Sequence, residues 1–130
     1  LAAAGWQDRY RVPDDVIKGV VALSGLYDIR PLCDINVNEW LRLYPDQAER
    51  LSPLFHLPRP GLPMIVSVGG LETQGFKNQT AAYEAACREA GLDVRRVDAP
   101  HCNHFNLLCE LAKADSPLTQ ATLKMIGVSR

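Results

Sequence analysis

Three short apolar runs constrain the fold of this chain more than any other feature. Residues 16–23 and 63–68 are rich in β-branched residues, and they end at Ser24-Gly25 and Gly69-Gly70. Apolar runs of this length, bounded by turn residues, predict buried strands that are covered on both faces. Residues 92–97 form a weaker run, because two arginines interrupt it, and they predict a strand near a sheet edge.

Helical patterns lie between these runs and after the last one. Apolar residues recur at helical spacing in residues 76–90, and Gly91 follows as a typical C-terminal stop. Further helices are predicted for residues 1–10, for residues 117–126, and for the segment in which Phe105, Leu108 and Leu111 share one face. Strands that alternate with helices predict an α/β fold with a parallel sheet.

Residues 24–60 interrupt this alternation with a long irregular stretch that contains five prolines. Short helices are predicted near residues 38–44 and 46–51. A connection of this length is often functional, and we interpret it as a lid or cap-like insertion in a single domain spanning residues 1–130. Its apolar side chains either form a lid over an aromatic or acyl substrate or pack on the core: Trp40, Leu41, Leu43 and Tyr44.

The composition and the charge pattern do not indicate a nucleic-acid or membrane partner. The chain is 47% hydrophobic and 22% charged, its net charge is −1, and it has no block of like charges, so no nucleic-acid partner is expected. It has no apolar run of about 18 residues, so no membrane partner is expected. Four cysteines without a C-x-x-C pair favour free thiols in a reducing, cytoplasmic compartment.

The loops that follow the strands carry the candidate catalytic residues. Ligands of open parallel sheets bind beyond the carboxyl ends of the strands, where Glu72 follows the second strand and His101 and His104 follow the third. An acid beside a histidine can fix the imidazole tautomer, so that the free nitrogen takes a proton from a nucleophile. Asp93 and Asp98 flank the third strand and are the alternative acids.

A serine nucleophile is missing from this pattern. The G-x-S-x-G elbow of α/β-hydrolases does not occur, and no serine of the chain stands between a strand and a helix in that context. The chain opens on Leu1 to Ala4, a helical run without an initiator Met. We therefore expect a fragment that begins inside the helix after the elbow, with the nucleophile upstream.

Five segments in order resemble the kynurenine formamidase (arylformamidase) and carboxylesterase group of α/β-hydrolases. They are LAAA (1–4), VALSGLYD (21–28), LSPL (51–54), VGGLE (68–72) and NHF (103–105). The resemblance implies the C-terminal part of an α/β-hydrolase fold, with Glu72 as triad acid and His104 as triad base. The group usually has Asp at the acid position.

Three further residues are candidates for substrate binding. Tyr27 and Asp28 follow the end of the first strand, where a plain turn role is equally open, and Asn103 precedes the candidate base. The predicted function is hydrolysis of a small ester or aryl formamide by a serine hydrolase through an acyl-enzyme. No cofactor is expected, and the missing N-terminal half or a second copy is the expected partner for the bare sheet edge.

The residues around His104 also suggest two other chemistries. His101, Cys102 and His104, with Cys109, suggest a metal site, but their spacing is irregular and no metal is predicted. Cys102 beside a histidine suggests a cysteine nucleophile, although adjacent side chains on an extended loop diverge. The alternative from a different class is a non-catalytic α/β binding or interaction module, which the missing elbow favours.

Overall fold

The computed structural model, which describes residues 2–128, has a three-stranded parallel sheet at its centre. The strands are β1 (Val20–Leu23), β2 (Met64–Ser67) and β3 (Val94–Arg96), in the spatial order β1-β2-β3. β2 is the middle strand and pairs with both neighbours in parallel register. The predicted α/β class with three parallel strands is therefore confirmed, as is the place of β3 at a sheet edge.

Helices connect and flank these strands. Within residues 2–128 the α-helices are α1 (Gln7–Tyr10), α2 (Asn38–Leu41), α3 (Pro45–Leu51), α4 (Gln74–Glu89) and α5 (Pro117–Met125). Short 3-10 helices span Arg30–Asp34, Pro53–Phe55 and Leu108–Ala112. None of the helices in this part of the chain is both long and apolar enough to cross a membrane.

The sheet is covered by α4 on one face and by α5 on the other. Successive residues of a strand point to opposite faces, so β2 contributes to two separate clusters. The α4 cluster includes Met64, Val66, Tyr83 and Cys87, and the α5 cluster includes Ile65, Leu118 and Ala121. β2 is consequently buried along its whole length, as its apolar sequence predicts.

β1 is less covered than its sequence predicts. All four of its residues are only partly buried, and the strand occupies the second half of the predicted run at residues 16–23. The cause is its position, because β2 is its only strand neighbour within the described residues. An apolar strand at a sheet edge keeps one side open.

The amino-terminal segment differs from the prediction of a helix over residues 1–10. The only helix there among the described residues is α1, while Ala3 forms an antiparallel bridge with Pro58 and Gly5 has a φ of 87°. A few alanines cannot nucleate a helix by themselves, and a left-handed glycine interrupts one. Leu1 lies outside the described residues.

Two other predictions need correction or qualification. Phe105, Leu108 and Leu111 do not form a covered helix face, since the segment has a short 3-10 helix and all three side chains are exposed. Periodicity defines a face but does not supply anything to cover it. In the stretch 24–60, Trp40 is 85% exposed and Tyr44 is also exposed, so neither packs on the core.

Candidate active site

The loops after the three strands meet at one edge of the sheet. Ser24 directly follows β1, Gly69 to Glu72 follow β2, and residues 99–104 follow β3. Parallel strands end on the same side, so their loops converge there. This is where the structure brings Glu72 and His104 together, as the sequence predicts.

The acid loop lies directly against the histidine loop. The Gly70 amide donates to the Ala99 carbonyl at 2.9 Å, and the Leu71 amide donates to the Cys102 carbonyl at 2.9 Å. A Cβ atom added at Gly69 would lie 2.3 Å from the Cys102 carbonyl oxygen, which is far inside contact distance. The approach of the two loops therefore requires glycine at position 69.

Glu72 is a buried carboxylate with a separate partner on each oxygen. Its side chain is 1% exposed. Oε1 accepts hydrogen bonds from the Gly69 amide, at 2.7 Å, and from the Ser24 hydroxyl. Oε2 lies 3.0 Å from Nδ1 of His104. The carboxylate is thus held on one side and directed at the imidazole on the other.

These partners keep Glu72 ionised. Burial opposes the charge, but the hydrogen bonds from Ser24, from the Gly69 amide and from His104 together outweigh it, and the pKa of Glu72 lies below its ordinary value. Because an ionised carboxylate only accepts hydrogen bonds, the proton between the two residues sits on Nδ1 of His104. Nε2 is then the basic nitrogen.

His104 contacts two aromatic rings at the protein surface. Its side chain is 47% exposed. The Phe76 ring lies 4.6 Å from the imidazole centroid, and the Phe105 ring meets it edge-on at 5.7 Å. Phe105 itself is 87% exposed. The base is therefore accessible and has an apolar aromatic surface beside it.

The loop that carries His104 is closed by two asparagines. Oδ1 of Asn103 accepts from the amides of Phe105, at 2.9 Å, and of Asn106, at 3.1 Å. In return, the backbone amide of Asn103 donates to Oδ1 of Asn106 at 2.7 Å. Asn103 thus braces the turn around the base, and its predicted contact with substrate stays a prediction.

Tyr27 and Asp28 have hydrogen-bond and ring partners other than Glu72 and His104. The Tyr27 ring is buried and stacks on Tyr83 at 4.0 Å. The Asp28 carboxylate accepts from Nε of Arg30 at 2.9 Å and from Nη2 at 2.8 Å. Oε1 of Gln79 accepts from both backbone amides of the pair. These contacts are those of a structured turn, and the predicted contact of Tyr27 and Asp28 with substrate stays a prediction.

The alternative acids and base lie outside the cluster. Asp98 is 83% exposed and pairs with Arg96, while Asp93 is an exposed residue just before β3, at the opposite end of the sheet. His101 is exposed as well. Glu72 is consequently the carboxylate that the fold delivers to His104.

The thiol and the metal alternatives also lack the geometry they need. Cys102 is buried, and burial together with Glu110 raises the pKa of its thiol, whereas a nucleophilic cysteine needs a lowered one. Within residues 2–128, no three His, Cys, Asp or Glu side chains converge as a metal site would require.

The serines of the described chain are engaged in other contacts. Ser24 donates to Glu72 rather than to His104. Ser52, Ser67 and Ser116 donate to the backbone carbonyls of Ala48, Val97 and Glu110. Ser129 lies outside the described residues. Within the described residues, the site thus consists of the acid Glu72 and the half-exposed base His104.

Ser24 is a partner of the acid that the sequence pattern alone did not indicate. Its signal is its place directly after a buried strand, on one of the three loops expected to converge. The Gly69 amide and the Phe76 ring beside the base are two further contacts without a role predicted from the sequence. Both belong to the segment that carries Glu72, so proximity along the chain is the signal for them.

Two curated proteins share sequence similarity with most of this chain. The chain is 35% identical over 119 residues to the kynurenine formamidase of Salmo salar, and 33% identical over 118 residues to that of Danio rerio. Each match covers 87% of this chain and 40% of the relative. No family model matches the chain.

A solved structure shows the same fold. A Silicibacter protein that was proposed to be a thioesterase superposes with a TM-score of 0.71 at 32% identity. The match covers 87% of this chain and 42% of that protein. The chain is therefore homologous to about two fifths of a kynurenine formamidase-like α/β-hydrolase.

Proposed function

We propose that this chain, as a relative of part of the kynurenine formamidases, supplies the acid and the base of a serine hydrolase. The observation that carries the proposal is the 3.0 Å contact between Oε2 of Glu72 and Nδ1 of His104, beside a half-exposed imidazole. A buried carboxylate in this position holds one imidazole tautomer and stabilises the imidazolium that forms during acyl transfer.

The reaction follows from that geometry in two halves. Nε2 of His104 takes the proton of a serine hydroxyl while the serine oxygen attacks the carbonyl carbon of the substrate. The imidazolium then gives this proton to the departing amine or alcohol as the bond to the carbonyl carbon breaks. Water then attacks the acyl-enzyme while His104 takes its proton. The ester bond to the serine breaks, the carboxylic acid product leaves, and the proton returns to the serine oxygen. Only acyl and proton transfers are involved, so the proposal needs no cofactor.

The nucleophile is proposed to come from polypeptide outside these 130 residues, upstream in the chain. Two observations support this: the chain spans only 40% of the length of its relatives, and the described serines are bonded elsewhere. The same polypeptide, or a second copy, would cover the free edge of β1. Without such a partner, this apolar strand would leave its unpaired edge exposed.

The aromatic surface beside the base favours a substrate with an aryl group. Phe76 and Phe105 flank the imidazole, and Phe105 is free to contact a ligand. An aryl formamide or aryl ester is therefore the proposed substrate class. The four cysteines are all free, which fits the reducing, cytoplasmic compartment proposed from the sequence.

The test uses the full-length gene product that contains this chain. The assays use an aryl formamide, an aryl ester and a thioester. The thioester is included because the similar Silicibacter protein was proposed to be a thioesterase. We expect turnover of an aryl substrate, and inactivation by a fluorophosphonate that labels one serine outside residues 1–130. His104→Ala should lower kcat/KM on the order of a thousandfold or more. His101→Ala, which changes an exposed histidine of the same loop, should leave it nearly unchanged.

The opposite outcome favours the binding-module alternative. A full-length product that turns over none of the three substrates and takes up no fluorophosphonate would contradict the hydrolase proposal. Turnover that survives His104→Ala would contradict the assignment of the base.

A further inference from the structure

Ser24 is a buried residue that binds Oε1 of Glu72, the carboxylate oxygen that does not face His104. Its hydroxyl donates to Oε1 of Glu72, across 48 positions of sequence. The carboxylate is almost fully removed from water, so its charge depends on protein donors. The Gly69 amide is the second donor to Oε1, and Oε2 faces His104. Donors from the loops after β1, β2 and β3 thus hold the carboxylate.

The backbone at Ser24 has a left-handed conformation, which is unusual for a residue other than glycine. Its amide continues the sheet by donating to the Ser67 carbonyl at 2.8 Å, and the chain then turns with a φ of 48°. This left-handed region is unfavourable for a residue with a side chain and costless for glycine. Non-glycine residues in such conformations cluster at functional sites, where the surrounding structure holds them. Here the turn delivers the hydroxyl to the acid.

We propose that Ser24 is a positioning residue for the reaction, whose hydroxyl fixes the rotation of the Glu72 carboxylate so that Oε2 stays directed at Nδ1 of His104. This inference rests on the proposed function. Without the hydroxyl, the Gly69 amide alone would hold Oε1, and the carboxylate could turn about its Cγ–Cδ bond. The imidazole would then spend less time in the productive orientation.

The test compares Ser24→Ala and Ser24→Gly in the full-length gene product. Both remove the hydroxyl, but only glycine relieves the left-handed backbone. We expect kcat for an aryl ester to fall about tenfold in both variants, with KM nearly unchanged, since a hydrogen bond to a charged group is lost. The pKa of the Glu72 carboxyl, followed by carbon-13 NMR, should rise by about one unit in both.

A matched control is Ser67→Ala. Ser67 is also a buried serine, at the last position of β2, but its hydroxyl donates to the Val97 carbonyl. This variant should keep kcat and the Glu72 titration of the wild type. If Ser24→Ala does not fold, Ser24→Gly still supplies both readouts, because glycine suits the backbone.

The outcomes separate this inference from the proposed function. Wild-type kcat and an unmoved Glu72 titration in Ser24→Gly, with a loss in Ser24→Ala, would mean that only the backbone matters and would overturn the positioning role. Turnover that is lost in Glu72→Gln but kept in both Ser24 variants would overturn it as well. Turnover that is kept in Glu72→Gln would instead overturn the proposed function.

Discussion

Oε2 of Glu72 lies 3.0 Å from Nδ1 of His104, although 32 positions separate the two residues in the chain. This contact predicts the effect of Glu72→Gln. The amide can present an N–H to Nδ1 and so favour the wrong imidazole tautomer, and kcat/KM for an aryl ester should fall on the order of a hundredfold to ten-thousandfold. Steady-state kinetics of Asp98→Asn, an exposed acid near the same loop, should match the wild type. A larger loss in Asp98→Asn would mean that the acid is misassigned.

The loop contact at Gly69 predicts a second effect. In Gly69→Ala the added methyl would meet the Cys102 carbonyl at 2.3 Å, so the acid and histidine loops must separate. We expect the free energy of unfolding to fall by about 1–3 kcal/mol, together with most of the activity. Gly75→Ala is the control, because its nearest neighbour would be Thr73 Oγ1 at 3.7 Å. Urea denaturation of both variants measures the difference, and equal stabilities would refute the close approach.

The lowered pKa of Glu72 predicts how stability depends on pH. A carboxyl whose pKa is lower in the folded than in the unfolded state stabilises the fold above its ordinary pKa, and this contribution is lost as pH falls through the folded-state value. The stability difference between the wild type and Glu72→Gln should therefore be largest at neutral pH and shrink below about pH 4.5. Urea titrations at several pH values test this. A difference that grows with acidification would contradict the hydrogen-bonding account of the ionised acid.

The exposed Phe105 ring predicts a change in substrate binding without a change in stability. Phe105→Ala removes an 87% exposed side chain, so the free energy of unfolding should stay close to that of the wild type. KM for an aryl ester should rise up to about tenfold, because apolar contact with the ring is lost. KM for a methyl ester of a short acid serves as the internal control and should change little. A parallel rise for both substrates would argue against a ring-specific contact.

The fold could be predicted where local pattern and packing agree. β2 is a continuous apolar run and is buried on both faces, and α4 begins and ends within two residues of its predicted bounds. The conformation at the amino-terminal end could not be predicted from local pattern, because Ala3 pairs with Pro58, a partner more than 50 positions away. Likewise, the spacing of Phe105 and Leu108 defines a face but contains no information about what covers it.

The candidate site could be predicted in its two principal residues for a topological reason. Parallel strands end on one side, so an acid after β2 and a histidine after β3 are brought together by the sheet itself. Ser24 needed more than this rule, since its hydroxyl reaches Glu72 only because of the left-handed turn at the end of β1. Tyr27 follows the same strand, but its ring turns into the core against Tyr83, which strand order alone does not reveal.

The central claim is that Glu72 and His104 act as one unit, and a double-mutant cycle tests it most directly. The values of kcat/KM for an aryl ester are measured for the wild-type full-length gene product, Glu72→Gln, His104→Ala and the double variant. If the acid acts only through the base, the double variant should be no slower than His104→Ala alone, because residues of one catalytic unit are strongly non-additive. Losses that multiply, so that Glu72→Gln costs as much in the His104→Ala background as in the wild type, would contradict the account.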